Sequence, residues 1–260
     1  MSRNGPFGFG CFGGVSAGKI STHSPGRKAC SRGKTIAIMI KLFNSPASTA
    51  MSAHAALEEI GCDYESHWVD IGLPPGQRDP EFQALSPHGA VPVLVDEDGT
   101  VVFEGTAILI YLADRFPEAG LAPAIGDPKR GDFLKWMTYM TNTLQIAMQI
   151  YFMPHKHTVS TDGHAEISAK GIERLEACWR TINEACAAPG PYLLGERFSA
   201  CDLHLHMLTL WHQDTNAMRA RHPHVKRCAE RVEQRPAVQR ILKDHGPDWT
   251  THHPNSPGPP

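Results

Sequence analysis

The feature that most constrains this chain is an abrupt change of pattern at Pro117. Before it, apolar runs bounded by turn residues alternate with helical spacing; after it, no convincing strand remains. Residues 36–43 are an apolar, β-branched run and predict a strand. Residues 51–60 carry helical spacing that stops at Gly61, a residue suited to a left-handed C-cap. Residues 64–71 (YESHWVDI) alternate and predict a second strand, and residues 80–85 a short helix. Strands at 93–95 and 100–103 flank Asp96-Glu97-Asp98-Gly99, a hairpin signal. Residues 105–116 return to helical spacing. The order is βαβαββα, a compact α/β unit. The later segments predict helices at 129–152, 165–187, 199–212 and 225–245, the last interrupted by Pro236. The expected organisation is a leader over 1–34, an α/β domain over 35–118, a linker over 119–126, an all-helical domain over 127–246 and a tail over 247–260.

Composition sets the outer limits. A chain of 260 residues supports one or two domains. The net charge of −2 argues against nucleic acid as the main partner. No apolar run is long enough for a membrane span. Cysteines at 11, 30, 62, 178, 186, 201 and 228 form no CxxC and are odd in number, so a disulfide framework is not expected and a reducing cytoplasm is the simplest home. Residues 1–34 hold six Lys/Arg and no Asp/Glu, which leaves −8 on the remainder. That leader is rich in Gly and Ser, without periodicity, and reads as disordered. Its acid-free composition loosely suits a transit peptide; an over-long start, with Met39 inside the first strand, is the other reading. The Pro-rich end reads as a tail without structure.

Three short stretches carry chemistry. In NSPASTA (44–50) a strand runs into a helix through a Ser-Pro turn. A helix N-terminus there offers free N–H groups and partial positive charge. The side chains on offer are the hydroxyls of Ser45, Ser48 and Thr49, with no thiol. In SPHGAVPVL, Pro92 opens a strand, where it cannot donate to the ladder. A cis Val91–Pro92 bond would turn the Val91 N–H and C=O outward to receive an extended backbone; an ordinary trans edge proline is the alternative. In FEGTAILIYLADRF, Glu104 and Gly105 lie between strand and helix. The Gly105 and Thr106 N–H groups suit a carboxylate there, and Glu104 suits an ammonium. Favourable charge at a helix start is the plainer role for Glu104.

Together these stretches resemble the glutathione S-transferase family over roughly residues 38–246, most closely its bacterial beta-type branch. SPASTAMSAHAAL aligns without a gap with that branch's SPGxCSLAxHxAL. The resemblance implies a thioredoxin-like N-terminal domain that binds glutathione as co-substrate. It also implies an all-α C-terminal domain that shapes the pocket for a small hydrophobic electrophile, and a homodimer. Val91 and Pro92 match the cis-proline motif that pairs with the cysteinyl backbone, and Glu104 and Gly105 match the pair that holds the γ-glutamyl group. His88 fills an often basic slot near the glycyl carboxylate, with Arg78 in the loop before it. Ser199-Ala200-Cys201-Asp202 matches the capping box, whose own physics is worth ~1 kcal/mol.

The first turn departs from the pattern. Thr49 stands where beta-type members have cysteine, which puts a protein-thiol mechanism in doubt. Serine-type members use a hydroxyl to donate to the glutathione sulfur, a role that falls to Thr49, Ser45 or Ser48. A thiol of pKa about 8.5 is mostly protonated at neutral pH, and each unit of lowering is about 1.4 kcal/mol. Glutathione-dependent thiol–disulfide exchange and a non-catalytic binding role are the other functions considered. Trp136, Tyr139, Met140 and Phe152 share helical spacing that suits either a pocket wall or core. The fifteen histidines include His204-Leu205-His206, but residues i and i+2 point to different helix faces, so no metal site is expected.

Overall fold

The computed structural model describes residues 39–246. The expected leader and tail lie outside the described residues, as does the start of the first strand. The N-terminal part is built from β1 (Ile40–Asn44), α1 (Ala50–Ile60), β2 (Tyr64–Trp68), α2 (Pro80–Leu85), β3 (Val93–Val95), β4 (Val101–Phe103) and α3 (Gly105–Arg115). Strand order is β2-β1-β3-β4, with β2 parallel to β1 and β3 and β4 antiparallel to their neighbours. This is a thioredoxin-like sheet. The expected second strand stops three residues early, at Trp68, and the chain leaves the sheet for a loop that Arg78 ties down. The Arg78 guanidinium donates to the Leu73 carbonyl (2.6 Å) and the Gly89 carbonyl (2.9 Å).

Local chemistry explains the boundaries. Gly61 closes α1 at φ 72, its N–H bonded to the Leu57 carbonyl at 2.9 Å. Asp79 caps α2 by accepting from Phe82 N–H at 2.8 Å, with Pro80 in the first helical position. The hairpin closes at Gly99, φ 84.

The rest is helical: α4 (Arg130–Tyr139), α5 (Ile146–Phe152), α6 (His164–Ala185), α7 (Ala200–Leu210), α8 (Thr215–Arg221), α9 (Pro223–Glu233) and α10 (Pro236–His245). One long helix was expected over 129–152; instead, α4 and α5 are joined by a π-type widening over Met140–Gln145. The short helix α8 was not expected; Asp214 caps it by accepting from Ala217 N–H at 2.8 Å. One continuous apolar core runs through both parts, from Leu42 and Leu57 to Phe133, Trp179 and Leu208. α10 returns onto α1, where Arg235 holds Glu59 through two 2.7 Å bonds and His54 Nδ1 meets His245 Nε2 at 3.1 Å. Among the described residues, no helix is long and apolar enough to cross a membrane.

Candidate active site

A cleft of about 270 Å³ opens where α1, the turn before β3, the start of α3, the widened helix and α7 converge. Val91–Pro92 is a cis peptide, buried at its floor. Thr49, which precedes α1, also lines the cleft, and its hydroxyl donates to the Val91 carbonyl at 2.6 Å. That bond locks the helix start to the cis-proline loop and directs the Thr49 proton to the backbone. Pro46 is exposed beside it and Ala47 takes φ 52, a left-handed conformation, where the beta-type pattern has glycine.

The three candidate hydroxyls therefore stand differently. Thr49 is in the cleft wall; Ser45 and Ser48 are buried and not part of it. Ser48 Oγ–H donates to the Ser45 carbonyl (2.7 Å) and accepts from Ala50 N–H (3.2 Å), the geometry of a residue that caps a turn.

At the other side, Glu104 is exposed and held at φ 72, a conformation that non-glycine residues rarely adopt. It precedes α3 directly, and Glu104, Gly105 and Thr106 all line the cleft at a helix start, where first-turn N–H groups lack intrahelical partners. A Cβ on Gly105 would sit 3.6 Å from the Thr49 carbonyl and 3.8 Å from Pro92 Cγ, which measures how closely these elements meet. His88 lies exposed on the cleft rim. The cleft thus brings together the cis Val91–Pro92 loop, the N-terminus of α3 and the Glu104 side chain.

The helical part supplies the opposite wall, with residues that sequence reasoning did not single out for it. Thr141, Gln145 and Gln149, spaced four apart along the widened helix, line the cleft, together with His204 of α7. Trp136, Tyr139, Met140 and Phe152 do not: Met140 and Phe152 are core, and Trp136 and Tyr139 pack against it. The widened segment itself divides, with Met140 and Leu144 in the core and Thr141 and Gln145 on the cleft. His204 was read only as half of a histidine pair. His206, two residues on, turns away to Glu233 Oε1 at 3.3 Å.

A cis-proline loop beside a helix N-terminus in a thioredoxin-like sheet, followed by an all-α part, defines a two-domain fold class. Comparison with known proteins names the family within it. A model of the glutathione S-transferase N-terminal domain matches residues 48–115, and one of the C-terminal domain matches residues 145–245. A sphingomonad glutathione S-transferase, solved in complex with glutathione, superposes with a TM-score of 0.69 at 30% identity, over 79% of this chain and 98% of its own. "Glutathione S-transferase GstA" of Escherichia coli O157:H7 is 28% identical over 207 residues, 80% of this chain and 99% of that protein. "Disulfide-bond oxidoreductase YfcG" of Escherichia coli K12 is 29% identical over 214 residues, 79% and 95% respectively. The chain belongs to the glutathione S-transferase family.

Proposed function

We propose that this protein is a glutathione transferase that binds glutathione in the cleft and activates its thiol for attack on a small electrophile. The observation that carries the reading is the convergence of Thr49, Val91–Pro92 and Glu104–Gly105 on one cleft. Bound glutathione supplies the reacting thiol. Glu104 receives the γ-glutamyl ammonium, and the Gly105 and Thr106 N–H groups receive its carboxylate. The Val91 N–H is the rung for the cysteinyl backbone, and Thr49 fixes that rung by its bond to the Val91 carbonyl. The thiol then falls beside the α1 N-terminus, whose partial positive charge favours the anion.

The resemblance implies a small hydrophobic electrophile. Thr141, Gln145, Gln149 and His204 favour one that also carries hydrogen-bond acceptors, such as carbonyl or nitro groups. A homodimer in the cytoplasm completes the proposal. Exposed Val101 and Phe103 on β4 are candidates for the apolar interface, and the five described cysteines are free, in keeping with a reducing compartment.

A second reading draws on the likeness to a disulfide-bond oxidoreductase, and it must work without a protein thiol, because among the described residues no cysteine lines the cleft. In glutathione-dependent disulfide reduction every sulfur could come from the substrates, two glutathione thiols reducing one disulfide to two thiols. A panel of electrophiles and disulfides, with glutathione turnover as readout, separates the two. For the site itself, Glu104→Ala is expected to weaken glutathione binding at least about tenfold, some 1.4 kcal/mol. Equal affinity of both proteins in calorimetric titration would sink the assignment. Thr49→Val removes the donor to Val91 and is expected to weaken binding by about three- to tenfold, the loss of one hydrogen bond of roughly 1 kcal/mol. The same titration checks it, and an unchanged dissociation constant contradicts a positioning role.

A further inference from the structure

An asparagine stands where a buried strand would carry an apolar residue. Asn44 ends β1 with 0% exposure, and asparagine is depleted in strands and costly to bury unless its amide is bonded. Its backbone belongs to the sheet, the carbonyl accepting from Val69 N–H at 2.8 Å. Its side chain reaches the turn, β2, α1 and α10. Oδ1 accepts from Ser45 N–H at 2.8 Å, while Nδ2 lies 3.4 Å from Ser66 Oγ, 3.3 Å from His54 Nδ1 and 3.4 Å from His245 Nε2. Such a departure from local propensity is expected where a site requires a particular polar group.

The amide orientation follows from its neighbour. Only an oxygen can accept from the Ser45 N–H, which leaves Nδ2 toward the two rings. Burial keeps both rings uncharged at neutral pH. His54 Nδ1 and His245 Nε2 stand 3.1 Å apart, so one donates and the other accepts. Nδ2 meets an acceptor nitrogen in either case, and the contact holds whichever ring carries the proton. From Asn44 the bonds run in two directions. Toward the cleft, the Ser45 carbonyl accepts from the Ser48 hydroxyl at 2.7 Å, and the Thr49 hydroxyl ties the end of the turn to the Val91 carbonyl at 2.6 Å. Away from it, the two ends of α10 are pinned, Arg235 to Glu59 of α1 and His245 to Asn44 and His54. No residue of α10 lines the cleft, and neither does Asn44.

We propose that Asn44 is a positioning residue of the glutathione site and couples that site to α10. The inference rests on the proposed glutathione site. Asn44 makes no contact with the ligand; it acts through the Ser45 N–H, at the entry of the turn that ends at Thr49. α10 in turn holds the Asn44 amide through His245. A turn set for glutathione therefore favours a docked α10, and a docked α10 favours the turn. By linkage the two effects are equal in size.

The test is amide exchange read by mass spectrometry on the full chain, with and without saturating reduced glutathione. Calorimetric dissociation constants are measured alongside, well below the melting temperature. In wild type, glutathione is expected to slow exchange along α10 about fivefold or more, and to leave α8, which lines neither the cleft nor the Asn44 contacts, unchanged. His245→Leu keeps the bond from Ser45 N–H to Oδ1 but cuts the link, so it is expected to abolish the slowing and to weaken glutathione binding by the same factor, about fivefold. Asn44→Ala removes both bonds and is expected to abolish the slowing and to weaken binding at least as much. A merely structural asparagine would lower the melting temperature and move neither readout. No slowing at α10, or equal slowing of α8 and α10, overturns the coupling; a wild-type dissociation constant in Asn44→Ala overturns the positioning role. Should Asn44→Ala fail to fold by circular dichroism, wild-type exchange and His245→Leu decide. A wild-type protein that binds no glutathione in the calorimeter overturns the glutathione site instead, which keeps the two failures apart.

Discussion

Asp202→Ala is expected to lower the melting temperature by about 6–12 °C, equivalent to roughly 3 kcal/mol. Asp202 is 1% exposed in the first turn of α7. Its Oδ1 accepts from Leu193 N–H at 2.8 Å, and its Oδ2 accepts from Ser199 N–H at 2.8 Å and from the Ser199 hydroxyl at 3.1 Å. Leu193 and Ser199 are themselves buried, so alanine leaves two backbone donors in the interior without acceptors. The capping motif alone is worth about 1 kcal/mol; the larger figure comes from Leu193, a partner the motif does not contain. Asp202→Asn keeps one acceptor oxygen and is expected to lose about half as much. The function is coupled to the same bonds, because α7 carries His204 into the cleft wall. Thermal melts by circular dichroism check the order wild type, Asn, Ala. An alanine variant that melts within about 2 °C of wild type would show that both N–H groups find other acceptors.

How much of this was readable beforehand depended on how local the cause was. Gly61, Asp79-Pro80 and Gly99 punctuate the chain through their own backbone preferences, and the elements they bound stand where expected. The grouping of Val91, Pro92, Glu104 and Gly105 was legible as a set of motifs, since each motif carries its own turn chemistry. The wall opposite was not. No Pro or Gly lies within Met140–Gln145 to announce the widening, in which Thr141 and Gln145 line the cleft and Met140 is core. The direction of the Thr49 proton depends on a carbonyl 42 residues away, and the partner of His204 Nδ1 lies 152 residues away. Helix spacing does give the divergence of His204 and His206, but not that one faces Ser52 and the other Glu233. Hydroxyls were weighed as sulfur donors because they lie in the right turn. His204 was missed as a cleft-lining residue because its helix is read as a folding motif.

The same buried histidines make acid the condition that tests this packing hardest. Burial pushes His54 to about 4, His204 to about 4 and His245 to about 3, the last also lowered by His54, against an ordinary value of 6.5. A histidine held below its unfolded pKa contributes fully above about pH 6.5, and that contribution is lost as pH falls through about 4. Asp202 runs the other way. Burial raises it from 3.8 to about 6, against the backbone N–H donors that lower it, so its contribution is present at low pH and lost as pH rises through 6. Acid therefore returns part of what the histidines remove. Counting His54 and His245 as one site, because they share a hydrogen bond, the balance between about pH 7 and about pH 4.5 is a loss of roughly 3 kcal/mol. That is a sizeable share of a typical folding free energy and corresponds to a melting temperature lower by about 6–12 °C. Loss should begin at α10, which holds His245 against His54 on α1, so amide exchange along α10 is expected to accelerate before global melting. Replacing His204 by phenylalanine removes one titrating site and should flatten the melting temperature–pH curve between about pH 6.5 and about pH 4.5 by roughly 2 kcal/mol. Equal slopes in the two proteins would mean that His204 takes up its proton without resistance, and that its ring is wetter than its burial implies.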